Sequence, residues 1–378
     1  MKKSILIAIA ILAFGFAANA QEKKETSDTK STKFEWPQWI QDIKLSGYGM
    51  VQYQADDKYS TSTPDQKDHA NSFQLRLFRV SLEGRIAKDF YWKGQIQVNG
   101  NTSTLGSSPR VVDLFGEWQK FEFLRIKAGQ FKRSFSFENP MHPITQGFMS
   151  YSQPISKLVG FSDRTGEQAS NGRDIGIQLQ GDFLKNAQGR NLLHYQIGVF
   201  NGEGINKKDA DNRKDVIGGV WVMPVKGMRI GVFGWTGSRV ISYTDPATGK
   251  AYDRSVPKNR YALSADYVTE SDWTFRTEYV HSQGYGSNLA AGDKADGFYA
   301  LCIAPVIAKK FHVKARYDLY RDRKEWSTSK TFYEIGADYV FNKNLQVNIE
   351  YARVNDKNIK TEGKHSYNMV DVELDFKF

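Results

Sequence analysis

From Ile43 to Phe378 apolar and polar residues alternate with a period of two, the repeat of an extended strand whose successive side chains face opposite sides. Turn-forming breaks divide this stretch into sixteen runs. The third, Phe90 to Gly100, sets Phe90, Trp92, Ile96 and Val98 against Tyr91, Lys93, Gln95, Gln97 and Asn99. In the second, Phe78, Val80, Leu82 and Ile86 oppose Arg79, Ser81, Glu83 and Arg85. The fourth sets Val112, Leu114 and Trp118 opposite Asp113, Glu117 and Gln119, with Phe115 among the polar set. In the fifth, Leu124, Ile126 and Ala128 alternate with Arg125, Lys127 and Gly129. Three runs resist this sorting: Lys214 to Met223 and Met228 to Ser238 are ambiguous, and Gly297 to Pro305 is apolar on both parities.

Loop lengths sort by parity. Connections after the second, fourth, eighth, tenth and fourteenth runs are tight, among them AKD, PVKG, ESD and FNKN, while those after odd-numbered runs are longer. Residues 55–72 and 239–259 read as such loops, and the longest follows Gln130. Only an up-and-down meander puts every second loop on one side. The expectation is an all-β fold: a 16-stranded antiparallel transmembrane β-barrel over 43–378, with short periplasmic turns and long extracellular loops. Each run is about the ~9 to 11 residues needed to cross a bilayer at a tilt. A soluble β-sandwich gives no reason for the sorting of loops.

The N-terminus changes the compartment. Lys2 and Lys3, an apolar run from Ile5 to Ala18 and Ala18-Asn19-Ala20 read as a signal peptide over 1–20, too short to span as a helix. Residues 21–42 form a polar periplasmic segment. Mean hydropathy is −0.55, and alternation lets such a chain carry apolar residues without long runs. Cys302 is the only cysteine, so no intrachain disulfide forms and no cysteine cluster holds a metal. These features fit a Gram-negative outer membrane.

Chemistry for catalysis is missing from the pattern. The six histidines lack zinc spacing, no nucleophile elbow occurs, and Asp209 to Asn212 lacks the downstream residues of a calcium loop. The reading is not an enzyme, with no cofactor and no metal. A net charge of +10 suits anionic partners, but export argues against nucleic acid.

The stretches FRVSLEGRIAKDFYWKGQIQ, DLFGEW, RIKAGQFKRSF, NGRDIGIQLQG, IGVFNGEG and PVKGMRIGVFGWTG, in this order, resemble the phosphate-selective porin O and P family. That resemblance implies a homotrimeric outer-membrane porin, in contact with membrane lipid, whose third long loop folds inward as a constriction, here residues 132–172. Phe378 is similar to the C-terminal signal read by outer-membrane assembly machinery. The basic positions that match the family are few: Arg79, Arg125, Lys127, Lys132 and Arg133, which stand as candidate pore-lining, anion-contacting residues. Opposite them, acids crowd the last three runs, with Glu334, Asp338, Glu350, Asp371 and Glu373 on the wet parity. The expected function is a passive channel for small anionic solutes such as phosphate. The alternatives are a non-selective or sugar-tolerant nutrient porin with a transverse field, and a structural or adhesive barrel.

Overall fold

A computed structural model describes residues 40–58, 71–99, 109–161, 171–245, 247–284, 294–359 and 365–378. The expected signal segment, and the polar segment before Ile40, lie outside the described residues. The first strands are β1 (Ile40–Asp56), β2 (Asn71–Ile86), β3 (Phe90–Gln97), β4 (Arg110–Trp118), β5 (Arg125–Lys132) and β6 (Arg173–Lys185). Next come β7 (Asn191–Phe200), β8 (Asp215–Val222), β9 (Met228–Thr236), β10 (Ser238–Thr244), β11 (Ala251–Val268) and β12 (Thr274–Gly284). The chain ends with β13 (Lys294–Ile307), β14 (Phe311–Arg321), β15 (Ser329–Asn342), β16 (Leu345–Asp356) and β17 (Ser366–Lys377).

All neighbours are antiparallel, and β1 also pairs with β17, from Tyr48 opposite Lys377 to Asp56 opposite Met369. The barrel wall is thereby closed and has no edge to protect. Of the seventeen strands, β10 pairs with Ala251 to Pro257 of β11, while β9 pairs with the later part of β11. Sixteen strands therefore cross as a wall. Where the sequence reading has a plain loop over 239–259, the structure has a hairpin that prolongs β11 beyond the wall.

Connections after β2, β4, β6, β8, β11, β13 and β15 are short, from two residues between Asn342 and Leu345 to six between Trp118 and Arg125. Outward-facing aromatics gather at this rim. Phe121 stacks on Phe123, Phe183 on Tyr195 and Trp273 on Phe275, with ring centroids 5.2, 5.4 and 5.9 Å apart. Above them runs a belt of exposed aliphatics, including Leu114, Ile177, Val232, Leu263, Ile335 and Ile349. An apolar band bounded by aromatics is what a lipid bilayer selects.

Two departures from simple alternation have local causes. A bulge shifts the β3–β4 register between Gln95 and Ile96, so Val112 and Asp113 are both buried and Val112 leaves the lipid face expected for it. In the sorting-resistant runs the inner parity is apolar because it receives the long loop. Ile217, Phe233 and Trp235 join Phe131, Phe135 and Phe137 in one buried cluster, and Tyr299 and Leu301 pack with Phe148. Cys302, on the opposite parity of β13, is half-buried among Ala304, Val313 and Ala315 of the outer surface.

Candidate functional site

The long loop, described over 133–161 and 171–172, leaves β5 and crosses to the far wall. Its stem is tied where it begins. The Arg133 guanidinium donates to Asp174 at 2.9 Å with both side chains fully buried, and Arg133 N donates to Gly172 O at 2.8 Å. Lys132 spends its three protons on Asn139 O and Met141 O, both at 2.7 Å, and on Tyr151 OH at 2.8 Å. Gly172 has φ +71°, and a Cβ there would meet Asn139 Oδ1 at 1.9 Å. One short helix, α1 (Gln153–Leu158), lies in this loop. Alternation gives no sign of it, because six residues carry too little period.

Wall side chains then grip the loop backbone. Glu278 accepts from Phe137 N and Glu138 N, Glu350 from Met149 N and Asp318 from Gln153 N, at 2.8 to 2.9 Å. Arg276, Lys314 and Arg316 donate in turn to Gln146 O, Gly147 O and Ser150 O, at 2.8 to 2.9 Å. Between these clamps Glu138 is completely buried against Ser152. Burial, reinforced by the nearby Glu278 charge and opposed by Arg316, pushes its carboxyl up to about 7.

The acidic wall read from the sequence thus lies mostly in partnerships. Glu334 forms a two-pronged pair with Arg316 at 2.5 and 2.9 Å, and Glu350 holds Lys314 at 2.7 Å. Asp338 meets His312 at 2.8 Å, Glu373 meets Arg76 at 2.9 Å, and Asp371 accepts from Gln52 and Gln54.

The basic candidates divide. Arg125 pairs with Asp182 at 2.6 Å and Lys127 with Glu117 at 3.6 Å. Lys132 and Arg133 are committed to the loop stem. Arg79 is different: only 1% exposed, it donates to Gln97 Oε1 at 3.1 Å and to Tyr48 OH at 2.9 Å, while Nη2 finds no partner among the described residues. No carboxylate pairs with it among the described residues. A buried cation in that state is costly unless an anion or water reaches it.

Around Arg79 the structure adds residues that the sequence reading did not single out. Arg173 is bound to Asp113 at 2.6 Å, and Arg110 lies near enough to feel both Arg79 and Arg173. The Tyr48 ring meets His142 of the loop at 4.4 Å. Burial, then repulsion from Lys132 and Arg79, holds the His142 imidazole down at about 3. Arg110 opens β4 and Arg173 opens β6, both after long loops; only the barrel's curvature shows that they face Arg79.

Residues 48–212, from β1 through β7 and the loop beyond it, match the family described as phosphate-selective porin O and P. No curated protein matches the chain. Among solved structures, the anion-selective porin from Comamonas acidovorans is similar with a TM-score of 0.65 at 13% identity, over 89% of this chain and 99% of that one. OprB of Pseudomonas putida gives 0.62 at 11% identity, over 90% and 94%. The trimer form of OmpT from Vibrio cholerae gives 0.55 at 11%, over 89% and 99%. Residues 48–212 match the phosphate-selective porin O and P family, and the barrel as a whole has the fold of solved porins.

Proposed function

We propose that this outer-membrane porin passes small anions, phosphate among them, along the β2–β6 side of its lumen, with Arg79 as the group they meet. The carrying observation is the buried Arg79 guanidinium, which among the described residues has no carboxylate in ion-pair contact and an Nη2 without a hydrogen-bond partner. Guanidinium nitrogens match phosphate-like oxygens in a planar fork. The Tyr48 hydroxyl beside it accepts from Arg79 and keeps a proton to donate. Arg110 and Arg173 reinforce the field. Assembly as a homotrimer and removal of residues 1–20 belong to the same reading.

A weakly selective pore for neutral and charged nutrients is the second reading, supported by the pairing of most wall charges. One measurement separates the two. In a planar bilayer under a salt gradient, the wild-type reversal potential favours anions, and Arg79→Gln moves it toward zero selectivity while phosphate ceases to block chloride current. Identical reversal potentials and phosphate block in the two proteins refute the role given to Arg79.

A further inference from the structure

A second compartment lies on the short-turn side of the loop, against β12 to β17. It is a cavity of about 310 Å³ between loop residues 143–149 and the lower inner wall. Its polar side carries Asp272, Asp338, Glu373 and Asp375, with His312 among them. Three of these acids are accounted for. His312 bridges Asp272 and Asp338, each at 2.8 Å. Glu373 is held by Arg76 at 2.9 Å.

Asp375 is not. It is 2% exposed; its Oδ2 accepts from the Gln346 and Asn348 amides, both at 2.9 Å, while Oδ1 has no hydrogen-bond donor among the described residues. Among the described residues no lysine or arginine forms an ion pair with it. Glu373, two residues earlier on the same face of β17, adds a second carboxylate beside it. A buried carboxylate with two neutral donors and one vacant oxygen is a site for a positively charged N–H donor.

The remaining lining narrows the class. Among the described residues no group of three His, Cys, Asp or Glu side chains is placed to hold a metal ion. Ile144, Phe148 and Met149 from the loop and Ile303 from β13 give the cavity an apolar side, suited to a short alkyl chain.

We propose that this compartment binds the primary ammonium group of a small alkylamine, with Asp375 Oδ1 as its acceptor and the apolar side against the alkyl chain. The porin then carries a cation subsite beside residues 143–149 of the loop. This inference is independent of the anion reading.

n-Butylammonium chloride tests it. Added at the short-turn side of the folded protein in a planar bilayer, it reduces conductance saturably, whereas tetramethylammonium, which has no N–H to donate, does not. Asp375→Asn raises the half-blocking concentration about tenfold or more, the loss expected for one charge-assisted hydrogen bond. Equal block by the two cations, or block that survives Asp375→Asn, overturns the proposal. Should the variant fail to give a heat-modifiable barrel, calorimetric titration of butylammonium into detergent-solubilised wild-type protein decides. Saturable binding with which tetramethylammonium does not compete supports the site; absence of binding, as when the two carboxyls share a proton, sinks it. Amine block in a channel without anion preference leaves this site standing while the reading of Arg79 falls.

Discussion

Replacing Glu278 by alanine tests how the long loop is held. Glu278 sits on β12, 1% exposed, and its two oxygens serve four donors. Phe137 N, Glu138 N and Tyr299 OH each donate at 2.8 Å, and Ser264 Oγ is the fourth. A donor left unsatisfied in a buried place costs about 1–3 kcal/mol, so four set a ceiling on the order of 10 kcal/mol. Water entering the vacated volume recovers part of this, leaving a loss of several kcal/mol in loop docking. That is comparable to the cost of moving a well-packed aromatic out of its pocket, so the stretch around Phe137 should leave the wall for a measurable fraction of the time. Single-channel recording is the assay: Glu278→Ala gives a larger mean conductance and more open-channel noise, and Glu278→Gln, which keeps one acceptor oxygen, falls between. Wild-type conductance and noise in Glu278→Ala, with the barrel intact on a semi-native gel, would refute the view that this carboxylate fastens the loop.

Three further outcomes follow from the same geometry. Because burial raises the Glu138 carboxyl from 4.5 to about 7, its contribution is fully present below about pH 4.5 and is lost as pH rises through about 7. Open-channel noise should therefore grow across that window, and Glu138→Gln should flatten the profile; an unchanged profile in the variant contradicts the assignment. Phe137→Ala removes a ring packed edge-on against Phe233 at 5.3 Å and lying under the Arg229 guanidinium at 4.2 Å, a loss of about 3–5 kcal/mol. It should raise the noise without altering anion preference, and a shift in reversal potential would count against a purely structural role. Arg125→Ala with Lys127→Ala strips the cations from Asp182 and Glu117. The reversal potential should move toward cations, and adding Asp182→Asn and Glu117→Gln should restore it; no restoration means that the pairs are not the cause.

The strand count was legible because alternation is local: in Phe90 to Gln97 neighbouring residues must face opposite sides whatever surrounds them. The loop was legible by its length. What the pattern could not reveal was the fate of charges on the inner face. Glu350 reads as one more wet-wall acid, yet it binds the backbone of Met149, 201 residues earlier. Arg125 and Lys127 read as an anion-facing pair, yet each has its own carboxylate one strand away, at a register that no single run specifies. The inner-parity apolar residues Phe233 and Trp235 blurred the facing of β9 for a related reason: they face a loop instead of water.

The sequence by itself determined an antiparallel transmembrane barrel with sorted loops and one outsized connection, since period two and chain length follow from backbone geometry alone. Only the tertiary structure decided which charges are spent on one another and which are buried with an atom left over. Closure brings distant strands into register and folds the loop across them, and those long-range contacts satisfy Lys132, Arg133 and Glu278 while leaving one nitrogen of Arg79 and one oxygen of Asp375 without a hydrogen-bond partner among the described residues.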